Sequence, residues 1–230
     1  MNNDPASRCR WLGGALWIQG PAGGLLVDAP SGVETALARE GLLAGLSAVI
    51  VSSERSRAVA GLLGLWDALD RVGKRRVSVL HVLGDERTPL LAGAWSQGWP
   101  DALRLDRDGL SPGGTSDVCG LVVELVPLRI GDVSWGRRPS ARGVAGCGLR
   151  IDTDAGRVVW IPTSRPGTAA QRLATGADLA VIEVGVLAWP SMDVAWRLAR
   201  EDATQVASFA STAWLVGDDG ARLPDPDPPN

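Results

Sequence analysis

The apolar residues of this chain fall into short runs divided by glycine, proline and acidic residues. Residues 15–18 and 25–27 are two such runs on either side of Gln-Gly-Pro-Ala-Gly-Gly, which predicts a β-hairpin whose second strand ends at Asp28. The run at 48–51 is short and rich in β-branched residues, so it predicts a buried strand. Over 59–72 the spacing becomes helical. One face of that predicted helix carries Val59, Leu62, Leu63, Leu65, Trp66 and Leu69.

Further along the chain, predicted strands alternate with predicted helices. The remaining strands are expected at 77–83, 103–105, 121–127, 148–153, 158–161 and 179–184. The remaining helices are expected at 34–40 (closed by Gly41), 90–95, 168–175 and 192–203, and a loop at 106–119. Hairpins that come first, followed by strand–helix alternation, predict helices packed on two sheets.

Length and composition indicate one ordinary globular domain. The chain has 230 residues, of which 45% are hydrophobic and 21% charged. We expect an N-terminal segment at 1–14, a domain at 15–222, and a disordered tail of alternating proline and aspartate at 223–230.

The net charge, the sequence at the amino terminus and the length of the apolar runs argue against several functional classes. The net charge is −3, so the chain lacks the basic field that nonspecific nucleic-acid binding requires, and a nucleic-acid partner is not expected. Neither a signal peptide nor a membrane-spanning run is present in this sequence, which predicts a cytoplasmic protein without a membrane partner. The three cysteines are far apart, and we expect them to be reduced and structural.

Residues 46–65 have the frame of a metal-binding motif without its ligands. An apolar strand runs into Ser-Ser-Glu-Arg-Ser-Arg-Ala-Val-Ala-Gly-Leu. This segment resembles the first metal motif of the metallo-β-lactamase superfamily, Thr-His-x-His-x-Asp-His followed by x-x-Gly-Leu. With Gly61 on that glycine, the four ligand positions fall on Ser53, Arg55, Arg57 and Ala58. Zinc is bound by thiolate, imidazole or carboxylate donors, so this set predicts no metal site.

Further segments of this chain resemble motifs of the ribonuclease Z-like and pyrroloquinoline-quinone B-like branch, and they follow one another along the chain in the same order as in that branch. In this chain, Leu-Val-Asp, which ends at Asp28, resembles a strand end of the branch. Pro-Leu-Arg-Ile ends at Ile130, at a position where the branch has histidine. The segment Val-Val-Trp-Ile-Pro-Thr-Ser places Thr163 where the branch has the aspartate that bridges the metal ions. Ala-Asp-Leu-Ala-Val-Ile-Glu ends at Glu183, and the last histidine position falls near Ser211.

The resemblance spans residues 15–214 and implies an α/β fold, the four-layer αββα sandwich, in a single domain. Active members of the family hold one or two metal ions that activate water for hydrolysis. Because the ligand positions differ here, the resemblance assigns no catalytic residue, no metal and no cofactor to this chain.

The first functional hypothesis is therefore a catalytically inactive protein that serves as a binding or scaffolding subunit. Its partner would be another protein, either an active paralogue or a second copy. Trp95, Trp99, Trp135 and Trp189 lie in predicted loops beside glycine or proline, where exposed indoles can anchor a partner.

The alternative hypothesis is a rebuilt, metal-independent site. Arg55 and Arg57 would replace the charge of the metal and hold a small anionic ligand through bidentate hydrogen bonds. Asp28 or Glu183 would then transfer a proton in a phosphodiesterase-like hydrolysis, or the site would bind without turnover. This vestigial pocket consists of Asp28, Ser53, Glu54, Arg55, Arg57, Thr163 and Glu183.

A serine hydrolase is not expected. The only histidine, His81, lies in a run that predicts a strand interior, and nothing in the sequence places it beside Ser52 or Ser53. We expect a structural role for His81.

Overall fold

The computed structural model describes residues 5–52, 56–74, 77–81, 103–105, 113–128, 146–162, 168–184, 192–217 and 223. Its contacts divide the chain into two compact units. The N-terminal unit covers 6–125, and the C-terminal unit covers 126–230 together with 1–5. The predicted single domain at 15–222 stays a prediction, and each unit is described by itself.

Twelve strands and five helices are described, together with two short 3-10 turns. The strands are β1 (Cys9–Trp11), β2 (Leu16–Gly20), β3 (Gly23–Val27), β4 (Leu46–Val51), β5 (Val77–His81), β6 (Leu103–Leu105), β7 (Thr115–Val118), β8 (Leu121–Leu128), β9 (Gly146–Thr153), β10 (Gly156–Ile161), β11 (Leu179–Val184) and β12 (Thr212–Gly217). The helices are α1 (Val33–Arg39), α2 (Ser56–Val59), α3 (Leu62–Arg71), α4 (Thr168–Ala174) and α5 (Met192–Ala207).

The first sheet lies in the N-terminal unit and has the strand order β1-β2-β3-β4-β5-β6. β1, β2 and β3 pair antiparallel, which confirms the predicted hairpin, whereas β3, β4, β5 and β6 pair parallel. Parallel pairing brings the carboxyl ends of these four strands to the same edge of the sheet. That edge receives the residues that follow the strands.

The core of the N-terminal unit joins this sheet to α1 and α3. Val33 and Leu37 of α1 pack in one cluster with Leu62, Leu65 and Leu69 of α3. Trp17 is fully buried in the same cluster, against the backbone of Gly24, where a Cβ would overlap the indole ring. A glycine is therefore required at the position facing this tryptophan.

The helix predicted at 59–72 is divided into α2 and α3 at Gly61. The Gly61 N–H donates to the carbonyl oxygen of Ala29 at 2.7 Å, and a Cβ on Gly61 would overlap the carbonyl oxygen of Pro30. This tertiary contact competes with helix continuation, which the local spacing could not reveal. The prediction for Leu63 is also wrong, since that side chain is 52% exposed.

The second sheet has the strand order β12-β11-β10-β9-β8-β7. β9 and β10 form an antiparallel hairpin, and β10, β11 and β12 pair parallel. In the C-terminal unit, apolar residues of β10 and β11 form one cluster with α4 and α5, including Ile161, Leu173, Ile182 and Val206. Trp160 is buried as well.

The described secondary structure differs from the predicted elements at β7, β1 and β12. The loop expected at 106–119 contains β7, because Cys119 and Gly120 both have positive φ (59° and 75°) and form a two-residue hairpin turn to β8. β1 was not predicted because it has only three residues, and β12 was not predicted although it contains the apolar run Ala-Trp-Leu-Val. The helix expected at 90–95 lies outside the described residues.

Leu223 differs from the expectation of a disordered tail. Its N–H donates to the carbonyl oxygen of Leu215 at 2.7 Å, and the residue packs against the cluster of the C-terminal unit. Residues 224–230 lie outside the described part of the chain. None of the described helices has the length and apolar character needed to cross a membrane.

Replacing Gly61 by alanine tests the contact that separates α2 from α3. We expect Gly61→Ala to lower the free energy of unfolding by about 1–3 kcal/mol, because the new methyl group must displace the Pro30 carbonyl. Gly64→Ala in the same helix is the control. Its Cβ would meet the carboxylate of Glu34 at 3.2 Å, and the better helix propensity of alanine offsets that contact by about 1 kcal/mol. Urea denaturation that gives equal losses for both variants would contradict this assignment.

Candidate functional site

The carboxylate of Asp28 ties the carboxyl ends of β3 and β4 together. Its Oδ1 accepts a hydrogen bond from the backbone N–H of Ser52 at 2.7 Å, and its Oδ2 accepts one from the Ser52 hydroxyl at 2.8 Å. Both residues are buried, with 6% of Asp28 and 4% of Ser52 exposed. A buried carboxylate is stable only when it is hydrogen-bonded, so this pair fixes the point at which the chain leaves β4.

The backbone around Asp28 is held by the same junction. Asp28 has a φ of 64°, which aspartate adopts more easily than most residues, and its N–H donates to the carbonyl oxygen of Ile50. The next N–H, of Ala29, donates to the carbonyl oxygen of Ala58, and Ala29 in turn accepts from Gly61. The turn after β3 therefore holds the carboxyl end of α2 and the start of α3 in place.

The motif resemblance aligns Gly61 with the glycine that opens the helix after the metal-binding turn. β4 ends at Val51, α2 follows, and α3 begins directly after Gly61. Ala58, which the resemblance aligns with the fourth ligand position, is buried with 1% exposed. The backbone of Arg57 belongs to α2, and its side chain lies outside the described part of the structure, as do Ser53, Glu54 and Arg55.

His81 lies nearer to Asp28 and Ser52 than the sequence indicates. It is the last residue of β5, and the parallel register pairs it with Val51, directly before Ser52. The backbone of His81 thus reaches the same edge of the first sheet. Strand register alone produces this proximity, and no local pattern could have predicted it.

Glu183 and Ser211 do not lie at the same end of the C-terminal unit. Glu183 is buried with 3% exposed, near the carboxyl end of β11, and is in register with Val216. The N–H of Ser211 donates to Ala177, at the opposite end of β11, roughly 16 Å away at 3.3 Å per residue. Val216 and Gly217, and not Ser211, are the residues of β12 level with the carboxyl end of β11. The placement of the last histidine position near Ser211 stays a prediction. Thr163 and Ile130 lie outside the described residues.

Cys119 is not an activated nucleophile. Burial raises the pKa of its thiol above the ordinary value, and the nearby carboxylate of Asp117 raises that pKa further, whereas Lys74 lowers it. Neither Cys9 nor Cys119 forms a disulfide with another described cysteine. A thiol that remains protonated at neutral pH suits the structural role that we predicted for the cysteines.

At the carboxyl edge of the first sheet, Asp28 and Ser52 are already engaged in hydrogen bonds with each other. The Ser52 hydroxyl donates to a carboxylate and is buried, so it is neither free nor accessible to attack a substrate. Within the described ranges, no three histidine, cysteine, aspartate or glutamate side chains are grouped as a metal site would need. The described pair therefore positions the backbone at this edge.

Comparison with known proteins identifies the fold. No family profile and no curated protein sequence matches the chain. Among solved structures, the metallo-β-lactamase fold protein YhfI from Bacillus subtilis matches with a TM-score of 0.65 and 18% identity, over 87% of this chain and 77% of that one. The short form of human tRNase Z matches with a TM-score of 0.55 and 16% identity, over 88% and 84%.

A diphosphatase of the PhnP family matches with a TM-score of 0.60 and 14% identity, over 88% of this chain and 70% of that one. At such identities these similarities establish the fold alone. They confirm the predicted fold class and its likeness to ribonuclease Z-type proteins.

The hydrogen bond from the Ser52 hydroxyl can be tested by removing it. We expect Ser52→Ala to lower the free energy of unfolding by about 1–3 kcal/mol, because a buried carboxylate loses a donor. Ser47→Ala is the matched control. The Ser47 hydroxyl donates to the carbonyl oxygen of Ala22 at an exposed position, and we expect a loss of at most about 0.5 kcal/mol. Similar denaturation midpoints for the two variants would show that the Asp28–Ser52 pair is not a structural anchor.

Proposed function

This chain has the metallo-β-lactamase fold, and we propose that it uses the fold as a cytoplasmic, metal-independent binding subunit and not as a hydrolase. Its partner is another protein, either an active paralogue or a second copy of this chain. The proposal rests on the chemistry of the residues that stand where the fold family holds its metal.

The donor set at those positions does not fit a metal ion. Ser53, Arg55, Arg57 and Ala58 supply no imidazole, thiolate or carboxylate, and two of them are cations. The observation that carries the proposal is the burial of Ala58, which the resemblance aligns with the fourth ligand position. The carbonyl oxygen of Ala58 accepts a hydrogen bond from the N–H of Ala29. No step of a metal-assisted hydrolysis can be assigned to these residues.

Asp28 supports the same conclusion. It is a carboxylate at the carboxyl edge of the parallel strands, where α/β sheets commonly place ligands. Both of its oxygens accept hydrogen bonds from Ser52, and its backbone has a conformation that suits this role. We assign Asp28 to holding the chain in place and not to proton transfer.

A second candidate function is the binding of a small anion. The backbone of Arg57 belongs to α2, the first helix after β4, and comes one residue before buried Ala58. Two guanidinium groups at 55 and 57 could replace the positive charge of a metal and bind a phosphate in bidentate fashion.

Metal content tests the first function. The protein is purified without chelator and then exposed to zinc, manganese and iron. We expect it to retain less than about a tenth of an equivalent of metal per chain, because the imidazole, thiolate and carboxylate ligands of a metal site are missing from these positions. The measurement is elemental analysis after dialysis. A Cys119→Ser variant controls for adventitious binding by a thiol that is partly exposed. About one equivalent retained by both proteins would overturn the proposal.

The arginine pair is tested by thermal shift with inorganic phosphate. If the second function is correct, phosphate raises the melting temperature of the wild-type chain, and Arg55→Ala combined with Arg57→Ala abolishes that rise. Arg39→Ala combined with Arg71→Ala removes the same charge from exposed positions and should leave the rise unchanged. A shift that survives in the 55/57 variant would exclude these arginines as the anion site.

A further inference from the structure

β7 ends one side of the second sheet, and its hairpin with β8 shows which of its backbone groups face away from the sheet. Just before β7, the carbonyl oxygen of Gly114 accepts a hydrogen bond from the Leu125 N–H at 3.2 Å. Bonded and outward residues alternate along an antiparallel pair. Ser116 is therefore bonded to β8, whereas Thr115 and Asp117 point their N–H and C=O groups outward.

Both ends of this outward row are closed. Before it, Gly113 has a φ of 78°, and its N–H donates to the carbonyl oxygen of Leu125 at 2.7 Å, so an extra residue is inserted opposite Leu125 as a β-bulge. After it, the chain turns at Cys119, whose carbonyl oxygen accepts a hydrogen bond from the Ala22 N–H. Four backbone groups remain for another strand, on two residues whose side chains are exposed.

Only one antiparallel register between two copies of this row uses all four groups. It places Ser116 on a two-fold axis, so that Thr115 of each chain is opposite Asp117 of the other. A register with Asp117 on the axis would set two carboxylates directly opposite each other, which is unfavourable. A register with Thr115 on the axis would set Asp117 opposite Gly113, whose N–H is already used.

The side chains of the row are complementary in that register. The Thr115 hydroxyl can donate to the Asp117 carboxylate of the other copy, and the two-fold axis produces this pair twice. One Asp117 oxygen, Oδ1, accepts from the Gly120 N–H at 2.9 Å, so the hydroxyl pairs with the other oxygen. At the axis, the two Ser116 residues form a pair without backbone hydrogen bonds, where Cα atoms approach to about 4.5 Å and small side chains fit.

We propose that two copies of this chain associate by antiparallel pairing of β7 with β7, and this rests on the proposed function because it makes a second copy the partner. A row of outward N–H and C=O groups is the part of a sheet that pairs most readily with another chain. The bulge and the turn limit the pairing to one short segment. The contact is small, so the dimer is weak and depends on protein concentration.

Acidic side chains on the same face oppose the association. Glu124 is opposite Thr115 within the hairpin, on the face that also carries Asp117. In the dimer each chain contributes both carboxylates to this face, at spacings of about 5 Å per strand. Salt screens such repulsion, so we expect the dissociation constant of the dimer to fall as the ionic strength rises from about 0.05 M to about 0.5 M.

Disulfide cross-linking tests the register. Ser116→Cys places two thiols beside the axis, at a Cα separation of about 4.5 Å that a disulfide accepts. Oxidised glutathione takes up two electrons and two protons from the thiols and leaves as two molecules of the reduced form. On non-reducing electrophoresis we expect at least about tenfold more linked dimer than from Thr115→Cys, whose Cα atoms would lie roughly 8 Å apart. Both variants also carry Cys119→Ser.

Sedimentation velocity over a concentration series tests the association itself. Thr115→Pro removes one outward N–H and leaves the bonds to β8 in place, so we expect the dissociation constant to rise at least about tenfold. Thr115→Val is the matched control. It keeps that N–H and loses only the hydroxyl, so its dissociation constant should rise less. Cross-linking through Ser116→Cys keeps the test decisive if the proline variant does not fold.

Three outcomes would overturn the edge pairing. They are a wild-type chain that stays monomeric up to about 1 mM, equal cross-linking of the Ser116→Cys and Thr115→Cys variants, or a dimer that Thr115→Pro leaves unchanged. A monomer would leave the binding function to a paralogue as partner. Retention of about one equivalent of metal would instead overturn the proposed function, whatever the state of association.

Discussion

The hydrogen bonds between Asp28 and Ser52 hold the carboxyl edge of the first sheet in its arrangement. They join the ends of two parallel strands at the point where the chain turns into α2. The backbone bonds of Ala29 to Ala58 and Gly61 then fix where that helix ends and where α3 begins. Because all of these groups are buried, breaking one bond exposes a desolvated partner, and the junction behaves as a unit.

The described bonds of this junction come from backbone groups, from one carboxylate and from one hydroxyl. Backbone groups are present whatever the side chain, so most of these bonds place few demands on residue type. Gly61 is the exception, because its close approach to Pro30 depends on the absence of a side chain.

The second sheet shows how a border strand can be protected. β12 is buried along most of its length although it ends the row of strands, and Leu223 contacts its outward side.

The sequence by itself determined the α/β class, most strands and helices, and the mismatch between the motif at 46–65 and metal chemistry, because these depend on local periodicity and on side-chain type. The tertiary structure decided the helix break at Gly61, the exposure of Leu63, the strand β7, the approach of His81 to Ser52, and the distance between Ser211 and Glu183. Each of these follows from the pairing or packing of segments far apart in the chain. Local patterns carry no information about register, since the free energy of a long-range contact depends on both partners at once.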